Sequence, residues 1–225
     1  MKTYLILVAG GSGSRMGLTL PKQFIEICDH PVIYHTIKKF LDAEAQLEVI
    51  IVIHPSWKNE LNDLLLHYFP EKKFQIAEGG ETRFQSVKNG LRLITEEGLV
   101  MIHDAARPLV SVQTISRCMT ETFRAGSAIP VLPLSESIRR VELYDSFQVN
   151  RNDYRLVQTP QCFMSAKIKA AYEIDFMENF TDDASVYEYA GHNVNLVEGN
   201  PENIKITLPS DLHYAEFLLS RAENN

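Results

Sequence analysis

The sequence predicts an α/β fold: a mostly parallel, twisted sheet with helices on both faces. Three observations carry this expectation. Strand-like apolar runs alternate with amphipathic stretches as far as Pro133, the rhythm of repeated βα units. Polar clusters follow the apolar runs, and ligands of open α/β sheets bind at the carboxyl ends of strands. The 225 residues, 45% hydrophobic and 23% charged, suffice for one sizeable core, and no Pro/Ser-rich linker, low-complexity tract or repeat divides them.

The elements follow in order. The apolar runs YLILVA (4–9), LEVIIVIH (47–54), FQIA (74–77), LVMIH (99–103) and SAIPVL (127–132) read as strands. Between them lie helical patterns at about 32–42, 56–68, 82–94 and 112–125. In the third, Phe84, Val87, Leu91 and Ile94 recur at three- and four-residue steps, and Thr82-x-x-Gln85 reads as a capping box. After Pro133 the rhythm breaks. Short alternating pieces around Tyr144-Asp145-Ser146 predict a hairpin excursion, a projecting β-arm at about 134–158 inserted into a single domain of residues 1–225. Helices resume at about 165–177 and 182–190. A strand at 194–197, the run 203–208 and a last helix at about 210–222 complete the chain.

A net charge of −7 speaks against a general nucleic-acid binder, so an anionic ligand would be met by a few cations placed locally. Cys28, Cys118 and Cys162 are odd in number, widely spaced and without a CxxC pair, which fits reduced thiols in the cytoplasm. The first apolar run is too short for a signal peptide or a membrane span, and no membrane partner is expected. The histidines outside 103–108 are scattered without metal-ligand spacing.

The opening loop, LVAGGSGSRMG…PKQF, is phosphate-friendly: Gly10, Gly11 and Gly13 let the backbone turn and present N–H groups to an anion. It lacks the third glycine of a dinucleotide fingerprint and the Gly-Lys-Ser/Thr of a P-loop. Arg15 and Lys22 add two cations, with Pro21 fixing the backbone before Lys22. They are either a phosphate clamp or a solvated surface pair. An oxidoreductase using NAD(P) is the alternative from another class, and the absent ribose-reading acid and Tyr-x-x-x-Lys pair count against it.

Six blocks in order, LVAGGSGSRMG…PKQF, GGETRFQSV, HDAARP, VNRNDYRLVQTPQCF, TDDAS and GNPENIKIT, resemble the 2-C-methyl-D-erythritol 4-phosphate cytidylyltransferases of the non-mevalonate isoprenoid pathway. The resemblance runs from residue 5 to about 215. Ribitol-5-phosphate cytidylyltransferases share the opening loop, TPQ and NIK blocks, but more often carry Ser-Val where HDAARP has two alanines. The resemblance implies a Rossmann-like fold of nucleotidyltransferase type and transfer of a cytidylyl group from CTP to a polyol phosphate, with pyrophosphate leaving.

Such a reaction needs no general base, because the attacking phosphate oxygen is already ionised; it needs positioning and cations. The resemblance implies catalytic roles for Arg15, Lys22, Arg151 and Lys205. It implies CTP contacts at Ala9, Gly10, Gly11, Gly13, Gly79, Gly80, Glu81, Ser86 and Ala105. Acceptor contacts fall to Asp104, Arg107, Ser137, Arg151, Thr159, Thr181 and Lys205. Asp104 follows an apolar run, so it stands at a strand's carboxyl edge, suited to Mg²⁺ or another divalent cation, or to an ion pair with Arg107. Glu81 is either a base-reading residue or an acid favouring a helix N-terminus. Lys205, between Ile204 and Ile206 on an expected short strand, faces either the cleft or solvent. Arg151 is implied to lie on the arm and to reach a neighbouring subunit's site, making the protein a homodimer.

Overall fold

The computed structural model describes residues 1–10 and 20–223. Five strands appear where the apolar runs place them: β1 (Lys2–Val8), then, after the short hairpin β2 (Glu26–Ile27) and β3 (His30–Pro31), β4 (Glu48–Ile53), β5 (Phe74–Glu78), β6 (Gly98–Asp104) and β7 (Ser127–Pro133). Helices α1 (Val32–Ala43), α2 (Lys58–Tyr68), α3 (Arg83–Arg92) and α4 (Val112–Ala125) separate them. β1 is central and pairs in parallel with β4 and β6, and β5 extends the sheet beyond β4. Strands β1, β4 and β6 are continuously apolar because both of their faces are covered.

The two faces separate by residue parity. Leu5, Leu7, Val49, Ile51, Leu99 and Met101 pack with residues of α1, α2 and α4. Tyr4, Ile6, Ile50, Val52, Val100 and Ile102 pack with α3 and with two later helices, α5 (Ser165–Ala171) and α6 (Asp183–Tyr189). A period of two along each strand delivers alternate side chains to opposite layers. Local chemistry sets the helix ends. Ser111 accepts a hydrogen bond from the Thr114 N–H at the start of α4, and Gly126 closes it with φ +92°. The capping box at Thr82 and Gln85 forms as the spacing predicts.

Beyond Pro133 the arm forms: β8 (Arg139–Val141) and β9 (Ser146–Gln148) pair as an antiparallel hairpin whose residues are exposed. The return leg holds two strands absent from the sequence reading. β10 (Arg155–Val157) pairs antiparallel with β7, and β11 (Gln161–Met164) inserts antiparallel between β6 and β7. The peptide bond between Thr159 and Pro160 is cis.

Two expectations need correction, and one strand forms with shifted bounds. The helix expected to run to residue 177 stops at Ala171, where buried Tyr172 stacks on Phe84, 4.7 Å between ring centroids, and donates its hydroxyl to Asp183. The strand expected at 194–197 forms as β12 (Leu196–Glu198), parallel to β7. The run 203–208 is not a strand. It is held by isolated bonds, among them Ile206 N–H to the Ala106 carbonyl at 2.9 Å, rather than by a ladder. Helix α7 (Pro209–Glu223) follows it.

Candidate active site

The carboxyl ends of β1, β4, β5 and β6 lie side by side, and each following loop is tied to its neighbour. Ala9 donates its N–H to Val52, Gly79 to Ile53 and Ala105 to Val8. The first residue of the opening loop is held again from the other side, by the buried Gln23 amide donating to the Ala9 carbonyl at 2.7 Å. Arg15, Gly11 and Gly13 lie outside the described residues.

The glycine turn of GGETR is built around Ser86. Its hydroxyl donates to the Thr82 carbonyl at 2.9 Å and accepts from the Gly80 N–H at 3.0 Å. Gly80 has no room for a side chain, since a Cβ there would lie 2.4 Å from the Gln85 Cβ. That closeness lets the Gln85 amide fold back to accept from the Glu81 N–H at 2.8 Å. A Cβ on Gly10 would stand 3.4 Å from the Ser86 hydroxyl, so Gly10 faces the GGETR turn. The Glu81 side chain is exposed at the lip of this turn.

Asp104, the last residue of β6, is the hub of the other half of the site. Its carboxylate lies 3.0 Å from Lys205 Nζ, 3.4 Å from Arg107 Nε and 3.6 Å from Arg83 Nε. Burial by itself would raise its pKa, but Arg83, Lys205 and Arg107 outweigh burial and hold the carboxyl far below the usual range. The ion pair with Arg107 therefore exists. Lys205 reaches this hub although its segment is irregular, because Ile206 turns fully inward and Lys205 turns the other way.

The neighbouring blocks are laced to this hub by hydrogen bonds. Arg107 Nη1 donates to the Asn203 carbonyl at 2.7 Å, and Asn203 Nδ2 donates to the Thr159 carbonyl at 2.8 Å. Lys22 Nζ donates to the Ile206 carbonyl at 2.7 Å, which brings the PKQF block against the NIK block. The buried Thr159 hydroxyl sits 2.9 Å from His103 Nδ1 and accepts from the Asp104 N–H at 3.3 Å. Burial pushes His103 down to about 3, so the ring is neutral. Its Nε2–H donates to the Arg107 carbonyl at 3.1 Å, which leaves Nδ1 to accept from Thr159. With both nitrogens engaged inside the protein, His103 shapes the turn and has no proton to exchange with a ligand.

Segment TDDAS arrives from the other face. Asp182 caps α6 through the Ser185 N–H at 2.9 Å and accepts from Gln161 Nε2 at 2.8 Å. Asp183 is fully buried and takes a two-pronged pair from Arg83 at 2.7 and 2.8 Å. Both acids are thus engaged within the fold, and Thr181 before them is exposed.

Lys22, Asp104, Arg107, Thr159 and Lys205 are therefore brought together, and Gly10, Gly79, Gly80 and Ser86 form an adjoining turn. Ser137 and Arg151 are not. Both are exposed on the arm, where the Arg151 guanidinium donates to the Ser135 carbonyl. Sequence reasoning missed Gln23, Arg83, Asp183 and Asn203. Arg83 left one signal: a cation at the first position of a helix opposes the macrodipole and so calls for a carboxylate nearby.

A family model described as 2-C-methyl-D-erythritol 4-phosphate cytidylyltransferase matches residues 3–221. Among similar curated proteins, one of that name from Bacteroides fragilis is 47% identical across 95% of this chain and 98% of its own. Another from Phocaeicola vulgatus is 44% identical across 97% of this chain and 100% of its own. Among solved structures, 4-diphosphocytidyl-2C-methyl-D-erythritol synthase from Anaerococcus prevotii superposes with a TM-score of 0.84 at 27% identity, covering 97% of this chain and 96% of that one. The Thermus thermophilus cytidylyltransferase gives 0.77 at 30% identity, covering 98% of this chain and 100% of that one.

Proposed function

This chain belongs to the 2-C-methyl-D-erythritol 4-phosphate cytidylyltransferase family, and from that premise we propose that it joins CTP to 2-C-methyl-D-erythritol 4-phosphate. The products are 4-diphosphocytidyl-2-C-methyl-D-erythritol and pyrophosphate, in non-mevalonate isoprenoid biosynthesis. The observation that carries the reading is the convergence of Arg83, Arg107 and Lys205 around Asp104 at one end of the sheet, with Lys22 held beside them on the Ile206 carbonyl. A protein of net charge −7 keeps four cations within this one corner, which suits a site for two polyanions.

In this reading the acceptor's ionised phosphate oxygen attacks the α-phosphorus of CTP in line. Lys22, with Arg15, neutralises the triphosphate and the charge that grows on the leaving pyrophosphate. Lys205 and Arg107 orient the acceptor phosphate, Thr181 offers a hydroxyl to the polyol, and Thr159 can add only the remaining lone pair of its hydroxyl oxygen. The glycine turn with Ser86, and with Ala9, Gly10 and Ala105 opposite, receives the cytidine. No side chain acts as a general base, in keeping with the fully engaged His103.

A divalent cation, Mg²⁺ by chemistry, fits Asp104 as a minority ligand. One carboxylate oxygen is taken by Lys205 and Arg107, while the other has only the longer 3.6 Å approach of Arg83. Among the described residues no group of three His, Cys, Asp or Glu could hold a metal ion, so phosphate oxygens and water would supply the remaining ligands. The ion would offset phosphate charge during transfer.

The chain is further read as one domain whose arm pairs with a second copy. Val141, Leu143 and Tyr144 on the arm are 77%, 87% and 92% exposed, and a two-stranded hairpin alone is marginal. Arg151 makes no contact with its own Asp104 cluster among the described contacts, which favours its use in the partner's site. Free thiols at Cys28, Cys118 and Cys162 favour a cytoplasmic location, and no described helix is long and apolar enough to cross a membrane.

The test is pyrophosphate release with CTP, UTP, ATP and GTP against methylerythritol phosphate and ribitol 5-phosphate. The reading expects CTP with methylerythritol phosphate to dominate. A preference for ribitol 5-phosphate would overturn the acceptor, and absence of release with any pair would overturn the chemistry.

A further inference from the structure

Among the described residues, Arg83 faces carboxylates from two separate segments. Its two terminal nitrogens grip Asp183 at 2.7 and 2.8 Å, and its Nε faces Asp104 at 3.6 Å. All three nitrogens are thereby directed, an arrangement that a planar fork permits and an ammonium does not. Arg83 opens α3, directly after the glycine turn, and Asp183 opens α6, two residues after Thr181. Asp183 has no freedom of its own: it is fully buried and receives the Tyr172 hydroxyl at 2.6 Å. A buried ion pair recovers little net stability after desolvation, so its geometry is a better clue than its strength.

We propose that Arg83 is a positioning residue: anchored by Asp183, it sets the Asp104 carboxylate, and through it Lys205 and Arg107, relative to the Thr181 segment. The inference rests on the functional reading above and adds a residue that acts through others. Arg83 joins the loop that receives the nucleotide to the segment that receives the acceptor. Its loss should therefore spoil the alignment of the two substrates more than the binding of CTP alone.

The experiment compares Arg83→Lys and Asp183→Asn with the wild type in pyrophosphate release, CTP binding by calorimetry and thermal unfolding. Leu61→Ala, a core truncation in α2 away from the site, serves as a control for destabilisation by itself. Both site variants should lower kcat/KM for the acceptor at least about tenfold, with the CTP Kd changed less than about threefold. Leu61→Ala should lose stability and keep its kcat/KM. Should Arg83→Lys not fold, the nearly isosteric Asp183→Asn decides. Folded variants with a lower Tm but kcat/KM within about twofold of wild type would reduce the pair to a structural tie and overturn the proposal. Failure of both to fold would do the same. A wild type without turnover would instead remove the functional reading, and this inference with it.

Discussion

Thr159 offers the sharpest separation between holding a ligand and holding the fold. Its hydroxyl hydrogen goes to His103 Nδ1 at 2.9 Å, and its oxygen accepts from the Asp104 N–H at 3.3 Å. Valine has nearly the same shape and can do neither. Thr159→Val would leave a buried ring nitrogen and a buried backbone N–H without partners, each costing about 1–3 kcal/mol, for a total of roughly 2–6 kcal/mol. Thr159→Ser keeps the hydroxyl and loses one buried methyl, about 1 kcal/mol. Urea unfolding, followed by circular dichroism at unchanged slope, gives both values. The valine variant should fall at least about 1 kcal/mol below the serine variant and also lose activity, because the Asp104 turn is no longer fixed. A valine variant as stable as wild type within about 0.5 kcal/mol would refute the clip and leave the hydroxyl to the substrate alone.

Other outcomes follow from the same geometry. Lys22→Ala should lower kcat at least about a hundredfold while the protein stays folded, which single-turnover kinetics with CTP would measure. Asp104→Asn should weaken the Mg²⁺ dependence of turnover; an unchanged metal titration would remove the ligand role. Mixing Arg151→Ala chains with Lys22→Ala chains should restore activity to mixed dimers if the arm crosses between subunits, and no rescue would count against crossing. Asp211 gives a pH prediction. Burial acts to raise its pKa, but N–H bonds from Thr207 and Leu208, the Thr207 hydroxyl and nearby Lys22 together hold it lower. Its contribution to stability is therefore present above the ordinary carboxyl range and lost as pH falls through the lowered folded-state value. Asp211→Asn should cost about 1 kcal/mol at neutral pH, a difference that closes in strong acid.

How much of this was legible follows from the range of each interaction. The central strands were readable because burial on both faces demands unbroken apolar runs. The bounds of α4 were readable because a serine and a glycine sit at its ends. Strand β11 was hidden, since it is four residues long and begins with Gln161, whose buried amide serves α6. The end of α5 depends on Tyr172 meeting Phe84 and Asp183, contacts that no local pattern encodes. In the site, the blocks and most of their residues were visible through resemblance, and Lys205 kept its inward neighbour Ile206 even though its segment is not a strand. The Arg83–Asp183 pair was not visible: its partners stand 100 positions apart, and only the fold brings them together.

In the proposed reaction, cations gathered on and beside Asp104 at the end of the sheet join two phosphates without a proton shuttle. A crystal structure with CTP, Mg²⁺ and methylerythritol phosphate decides the matter. Lys22 Nζ should stand about 3 Å from the triphosphate, with Lys205 and Arg107 on the acceptor phosphate. A nucleotide more than about 10 Å from Lys22 and Asp104, beyond the reach of screened charges, would rule that mechanism out.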